Sequence, residues 1–267
     1  MKKLWKRAKL LTSFAIISII ICILRIVSMD MQEWFRYAEE CFAFIYDIAL
    51  AYIVSYIFYI LQVYLPELSK EKEIIPILVV VQRNVQLFTI KLMSLWESIY
   101  NSSIDKEDNL SRKEIWDSVR MLKAAKSIKL LENSDTVDFS FKPITWKEKI
   151  EIDGYELSKK GNEILDHRSN LLPPEVFLAI NYLLNEGVML KGVLLTIECL
   201  EKTGRLTEEY SLYDVLPVEL SKDNQRDISR DIEKIYLLVE WVNNEYNYIN
   251  AETNGKYEQN IYRIDFD

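Results

Sequence analysis

A membrane protein of mainly α class is the fold this sequence predicts: an N-terminal transmembrane helical hairpin, then an all-α soluble bundle with room for one small β-hairpin. Three observations predict it. Residues 10–29 and 41–65 form two apolar runs that carry one charge each, Arg25 and Asp47. Each run reaches the roughly 20 residues that a helix rising about 1.5 Å per residue needs to cross a hydrocarbon core. The remaining chain then alternates apolar and polar residues at helical spacing, without long strand-like runs.

The flanks orient the hairpin. Lys2, Lys3, Lys6, Arg7 and Lys9 precede the first run, whereas the loop 30–40 holds four acids against Arg36 alone. Basic flanks stay on the cytoplasmic side, so both the N-terminus and the large C-terminal part are expected there. Tyr37, Phe42 and Phe44 at one boundary and Tyr59 and Tyr64 at the other suit the membrane–water interface. A cleaved signal peptide fits poorly, because the first run is longer than an ordinary signal core and Arg25-Ile-Val-Ser-Met-Asp offers no small-x-small cleavage site.

Within the hairpin, Arg25 and Asp47 lie at matching depths. Ala15, Ser18, Cys22 and Arg25 share one helical stripe, and Asp47, Ala51, Ser55 and Gln62 share another. Small and weakly polar residues let membrane helices approach and hydrogen-bond. Two readings follow. Either Arg25 and Asp47 pair and hold the hairpin together, or Arg25, Asp47, Ser55 and Gln62 belong to an oligomeric ion path.

The later chain reads as a cytosolic helical domain over residues 66–254, with residues 255–267 a peripheral tail. Pro66 is expected to break the second membrane helix. Val81, Val85, Phe88, Leu92, Leu95 and Ile99 then form an apolar seam, widened by Leu87, Ile90 and Trp96, with Pro76 in its first turn. Ser111-Arg-Lys-Glu114 is a capping box, opening a helix expected to run to about Glu132 with Ile115, Val119 and Leu122 inward. Over 137–152 two readings stay open. Val137, Phe139 and Phe141 alternate like a strand that Ile150 and Ile152 would pair, or a helix runs from about Thr145 to His167. Pro173-Pro174-Glu175 opens a further helix that Gly187 stops, and a following apolar segment ends at Gly204. The last long helix, about 224–251, carries a four-three alternation through Ile228, Ile232, Ile235, Val239, Val242, Tyr246 and Ile249. Such a seam serves either self-association as a coiled coil or packing within the bundle.

Charge and residue types restrict the chemistry. Seven basic and five acidic residues precede position 66, leaving 26 basic against 36 acidic beyond it, a net of −10. So acidic a surface repels phosphate backbones, so no nucleic-acid partner is expected. DGYELSKKGNEIL is similar to the wing of winged-helix DNA-binding domains, but it comes without a basic recognition helix. His167 is the sole histidine, Cys199 has no cysteine near it in the sequence, and the six glycines show no phosphate-loop spacing. The lone Cys–His combination, Cys199 with His167, is read as a pair without chemistry, because Cys199 lies on an apolar helical face. Acid pairs such as Asp227 and Asp231 read as capping or solvated charges. The expectation is therefore a chain without enzymatic activity, cofactor or metal.

One family resemblance spans most of the chain. Phe58-Tyr-Ile-Leu-Gln-Val-Tyr-Leu-Pro-Glu67, Ile144-Thr-Trp-Lys-Glu and Leu171-Leu-Pro-Pro-Glu175 resemble segments of a loose group of uncharacterised bacterial inner-membrane proteins, in which a short hairpin precedes a helical domain. The resemblance implies a multi-pass bacterial inner-membrane location and says nothing about activity or catalytic residues. The function expected is a membrane-anchored interaction or sensing protein, contacting the lipid bilayer, a protein partner and copies of itself. The alternative is an oligomerising effector that permeabilises the membrane, of the stress or phage-defence type.

Overall fold

The computed structural model describes residues 8–28, 37–137, 140–217 and 227–266. The basic flank 2–7, the loop 30–36, Phe139 and the expected helix start at 224–226 lie outside the described residues. The chain is mainly helical and divides into two compact units, residues 1–76 and 77–267.

In the first unit, α1 (Lys9–Ser28) and α2 (Ala38–Tyr59) pack against one another along their length. Thr12 meets Tyr56 near one end and Arg25 meets Glu39 near the other, so the two helices run antiparallel. Both are long and apolar enough to cross a membrane. Pro66 does not end the second of these helical segments. A π-helical turn over Ile60–Tyr64 leads directly into α3 (Leu65–Asn101), with the Leu65 N–H bonding back five residues to the Ile60 carbonyl. Pro66 lacks an N–H and its ring crowds the carbonyl four residues earlier; the wider turn just before it opens that room, so the helix passes through. Pro76 lies inside α3 rather than in its first turn.

The second unit is organised around the later part of α3. Val81, Val85, Phe88, Leu92, Leu95, Trp96 and Ile99 are all buried there, as their spacing predicts, while Leu87 faces out. The capped helix at Ser111 is short, contrary to expectation. α4 (Arg112–Ile115) stops after one turn because Asp117 caps a fresh helix, its carboxylate accepting from the Val119 and Arg120 N–H groups at 3.1 and 3.2 Å. The restart rotates α5 (Ser118–Ser127), so Met121, Ala124 and Ala125 turn inward and Val119 turns out.

After α5 the helix expected from about Thr145 to His167 forms, and so does a hairpin, but its second strand is 143–145 and not the segment around Ile150 and Ile152. β1 (Asn133–Val137) and β2 (Pro143–Thr145) pair antiparallel, and α6 (Trp146–Arg168) follows at once. Its start is fixed by a capping box, Glu148 N–H to Thr145 Oγ1 and Thr145 N–H to Glu148 Oε2. Ile150 and Ile152 are helical, so they pair with no strand, and the wing-like 153–165 segment is helix. Gly154 and Gly161 lie on its buried side, where a Cβ would come within 2.8 Å of Leu194 and 2.7 Å of Leu184. Those glycines permit close helix packing rather than weakening an exposed helix.

α7 (Pro174–Asn185) opens on Pro174 as expected. A second π-helical turn, Val188–Gly192, leads into α8 (Val193–Lys202), and one further turn, α9 (Leu212–Val215), bonds to the chain before β1 through Leu212 N–H and the Ile128 carbonyl. α10 (Ser229–Thr253) packs on α7. Ile228, Ile232, Ile235, Val239, Val242 and Ile249 are all buried in this chain's own core and Tyr246 is half-buried. The four-three seam is therefore a bundle stripe, filled from within, and presents no coiled-coil face to a second copy.

The tail is the largest departure from expectation. Asn254 and Gly255 adopt successive left-handed conformations that end α10 and turn the chain back over it. Ile261 and Ile264 are then fully buried, and the Phe266 ring packs 4.6 Å from that of Tyr236. The tail therefore contributes Ile264 and Phe266 to the core, while most of its other side chains are exposed.

Candidate functional site

The hairpin contact is built from one face of each helix. On α2, Ile45, Ala49, Tyr52 and Tyr56 recur at spacings of four, three and four, and Ala49 is buried against α1, where Ala15 and Ser18 are buried too. Tyr52 Oη donates to the Leu11 carbonyl at 3.1 Å, and Tyr56 Oη lies 2.8 Å from Thr12 Oγ1. The Phe14 and Tyr52 rings meet edge to face, lining an apolar groove of about 230 Å³ with Ile17, Ser18 and Ala49.

The four polar candidates of the hairpin do not converge. Arg25 reaches Glu39 at 3.8 Å, not Asp47. Asp47 is exposed and makes no hydrogen bond or ion pair among the described residues. It lies about half a turn away from the face that α1 covers, so a matching level along the hairpin did not bring it to Arg25. Ser55 and Gln62 share its outward side, and the Ser55 hydroxyl bonds back to the Ala51 carbonyl at 2.9 Å. All three are exposed, on the side of the chain turned away from the hairpin contact.

In the second unit three buried or half-buried polar clusters stand out. The first joins α3 to α4 and to the tail. Glu97 accepts Arg112 through two bonds, Nε at 2.5 Å and Nη2 at 3.0 Å, together with the indole N–H of buried Trp116 at 2.8 Å. Arg112 Nη1 meanwhile donates to the Asp265 carbonyl at 2.8 Å. Such a fork-to-fork pair fixes geometry.

The second cluster contains a serine beside a lysine, the residue types of a nucleophile and its base. Lys149 Nζ donates to Ser98 Oγ at 2.6 Å and to Asp135, and Ser98 Oγ donates to the other Asp135 oxygen at 2.7 Å. Burial raises the Asp135 carboxyl, but the bonds from Lys149 and Ser98 outweigh it and hold the carboxyl below its ordinary range. Ser98 Oγ gives its proton to Asp135 and accepts from Lys149, so the amine is not placed to take that proton. The cluster ties β1 to α3 and α6.

The third cluster surrounds Asp231, which the sequence reading counted among solvated or capping charges and which is fully buried. Its Oδ2 accepts the Met189 N–H at 2.7 Å and its Oδ1 accepts the Tyr182 hydroxyl at 3.2 Å. The carboxylate thereby caps the π-helical turn from outside it. Burial pushes this carboxyl above its ordinary range against the pull of those donors, and burial with the adjacent carboxylate pushes the Tyr182 phenol up to about 12. A signal was present in the sequence: Ile228, Asp231, Ile235, Leu238 and Val242 alternate three and four, which puts Asp231 on the buried face.

His167 and Cys199 are both exposed, on α6 and α8, and the structure records no contact between them. No group of three histidine, cysteine or acidic side chains suited to a metal ion occurs among the described residues. Buried Gln82 spans from the Val242 carbonyl at 3.3 Å to the Tyr262 carbonyl at 3.4 Å, and Gln86 donates to the same Tyr262 oxygen at 2.7 Å. These amides bind the tail to α3 and α10. No family model, curated protein or solved structure matches this chain.

Proposed function

We propose that the chain is a two-span protein of the bacterial inner membrane, both termini cytoplasmic, whose hairpin anchors an acidic helical module that binds a protein partner without catalysing a reaction. The observation that carries this reading is the outward surface of the hairpin. Leu10, Ile17, Ile20, Ile23, Leu24 and Val27 on α1, with Phe44, Ile48, Val54 and Ile57 on α2, are exposed. So much contiguous apolar surface is far beyond what a water-soluble monomer carries, and lipid is the solvent that fits it. The polar clusters of the second unit favour a rigid presenting scaffold, since each is spent on joining elements. The test combines two variants of the full chain. Photocrosslinking amino acids at exposed Leu178 or Leu195 should yield a discrete protein adduct in cells, unchanged when residues 8–65 are replaced by an unrelated two-span hairpin. Loss of the adduct on that replacement would contradict a simple anchor.

The outward position of Asp47 and Gln62 favours a second reading, an oligomer that conducts ions. It predicts depolarisation of expressing cells, abolished by Asp47→Asn at equal membrane abundance.

A further inference from the structure

We propose that the outward stripe of Asp47, Ala51 and Ser55 on α2, continued by Gln62 in the π-helical turn, is a self-association face occupied by the same stripe of a second copy. This rests on the membrane reading above. The hairpin satisfies one face of α2 through Ala49, Tyr52 and Tyr56, and leaves this other face uncovered. In water such a stripe would need nothing. In a bilayer a carboxyl, a hydroxyl and a carboxamide directed at hydrocarbon carry a desolvation cost, and such groups are found against protein or an aqueous cavity.

Complementarity selects the occupant. Copies inserted with the same topology are related by an axis along the membrane normal, so each residue meets its own counterpart at its own depth. All three polar groups suit that arrangement. A carboxamide donates through Nε2 and accepts through Oε1, so two Gln62 side chains satisfy one another. A hydroxyl does both as well, and the Ser55 oxygen keeps acceptor capacity beyond its bond to Ala51. Asp47 needs protein or water rather than hydrocarbon against it, and the same stripe of a second copy covers it. Ala51, between Asp47 and Ser55, lets the two backbones approach. A different protein would have to supply matching groups at three depths, whereas a second copy supplies them by symmetry. The exposed face of α1, made of Leu10, Ile16, Ile17, Ile20, Ile23 and Leu24, has no such requirement and is suited to lipid.

The test uses the full chain in native membranes, with Cys22, Cys41 and Cys199 replaced by Ser. Single cysteines are then introduced as Ala51→Cys on the stripe and Ile57→Cys on a different exposed face of the same helix. Mild oxidation should link Ala51→Cys into a dimer several-fold more efficiently than Ile57→Cys, since disulfides form only where Cβ atoms approach to about 4 Å. Adding Asp47→Leu with Gln62→Leu should remove that preference, and Asp47→Asn, which still pairs with itself, should keep it. An alkali-resistant membrane protein with equal linking at both positions, or none at Ala51→Cys, overturns the self-association face alone. Release of the protein by alkali overturns the membrane reading beneath it.

Discussion

Replacing Ile264 with Ala should destabilise the second unit substantially, although Ile264 lies three residues from the C-terminus. Its side chain is 2 % exposed, and the chain around it is bound at both backbone positions to Asn243, Ile264 N–H to Oδ1 at 2.8 Å and Nδ2 to the Ile264 carbonyl at 3.1 Å. Truncating a buried isoleucine to alanine costs about 2–5 kcal/mol, and a terminal segment that can relax belongs near the lower end, about 2–3 kcal/mol. For a domain of this size that lowers the unfolding midpoint by roughly 5–10 °C. The assay is thermal unfolding of the full chain in detergent micelles, followed by tryptophan fluorescence. Trp96, Trp116, Trp146 and Trp241 all lie within residues 77–267, so the signal reports chiefly on that unit. Tyr262→Ala is the control. Its ring is exposed and the carbonyl that Gln86 uses belongs to the backbone, so its effect should stay within about 0.5 kcal/mol. A midpoint for Ile264→Ala indistinguishable from that of Tyr262→Ala would refute the integration of the tail.

Glu97→Ala should cost about 2–4 kcal/mol, because it removes a bidentate charge-assisted pair and leaves the buried Trp116 N–H without an acceptor; Glu97→Gln, which keeps one oxygen, should cost less in the same melt. Two carboxylates should imprint opposite pH dependences on stability. The raised native pKa of Asp231 makes the folded state bind more protons from about pH 3.9 upward, so stability falls as pH rises through that window, and Asp231→Asn removes this slope. The lowered native pKa of Asp135 gives stability that is present above about pH 3.9 and lost as pH falls through the native value, and Asp135→Asn removes that acid loss. Denaturant unfolding across pH, run on the chain and both variants, checks the two signs. Gly161→Ala should gain up to about 1 kcal/mol of helix propensity and lose about 1–3 kcal/mol to the clash with Leu184, so the net change in denaturant midpoint should be destabilising.

The legible parts of this fold were those with a long, uninterrupted period. Two apolar runs marked the hairpin helices, and the seams of α3 and α10 named their buried residues almost without error, because a helix face repeats often enough to stand above composition. Local chemistry that acts once is harder to read. Asp117 restarts a helix by capping two N–H groups, and nothing in the apolar pattern of 111–132 distinguishes one helix from two. Ile261, Ile264 and Phe266 are three apolar residues in a short polar segment, too few to show a period, and only α3 and α10 at long sequence separation make them core. Pro66 misled for a related reason: its cost was judged from an α-helical turn, whereas a π-helical turn precedes it. For the hairpin, the two helices were readable but their rotation about their own axes was not. The face of α2 that meets α1 is chosen by Ala49, Tyr52 and Tyr56, whose hydroxyls bond Leu11 and Thr12, and this choice carries Asp47 away from Arg25.

The native cysteines offer the most direct test of the membrane-anchored hairpin. Cys41 is exposed near the loop end of α2, and Cys199 is exposed on α8 of the second unit. With Cys41 or Cys199 kept as the single cysteine, a membrane-impermeant maleimide applied to intact spheroplasts should label Cys41 at once and Cys199 only after lysis. Labelling of both before lysis, or of neither until lysis, would contradict a two-span hairpin with its helical module inside.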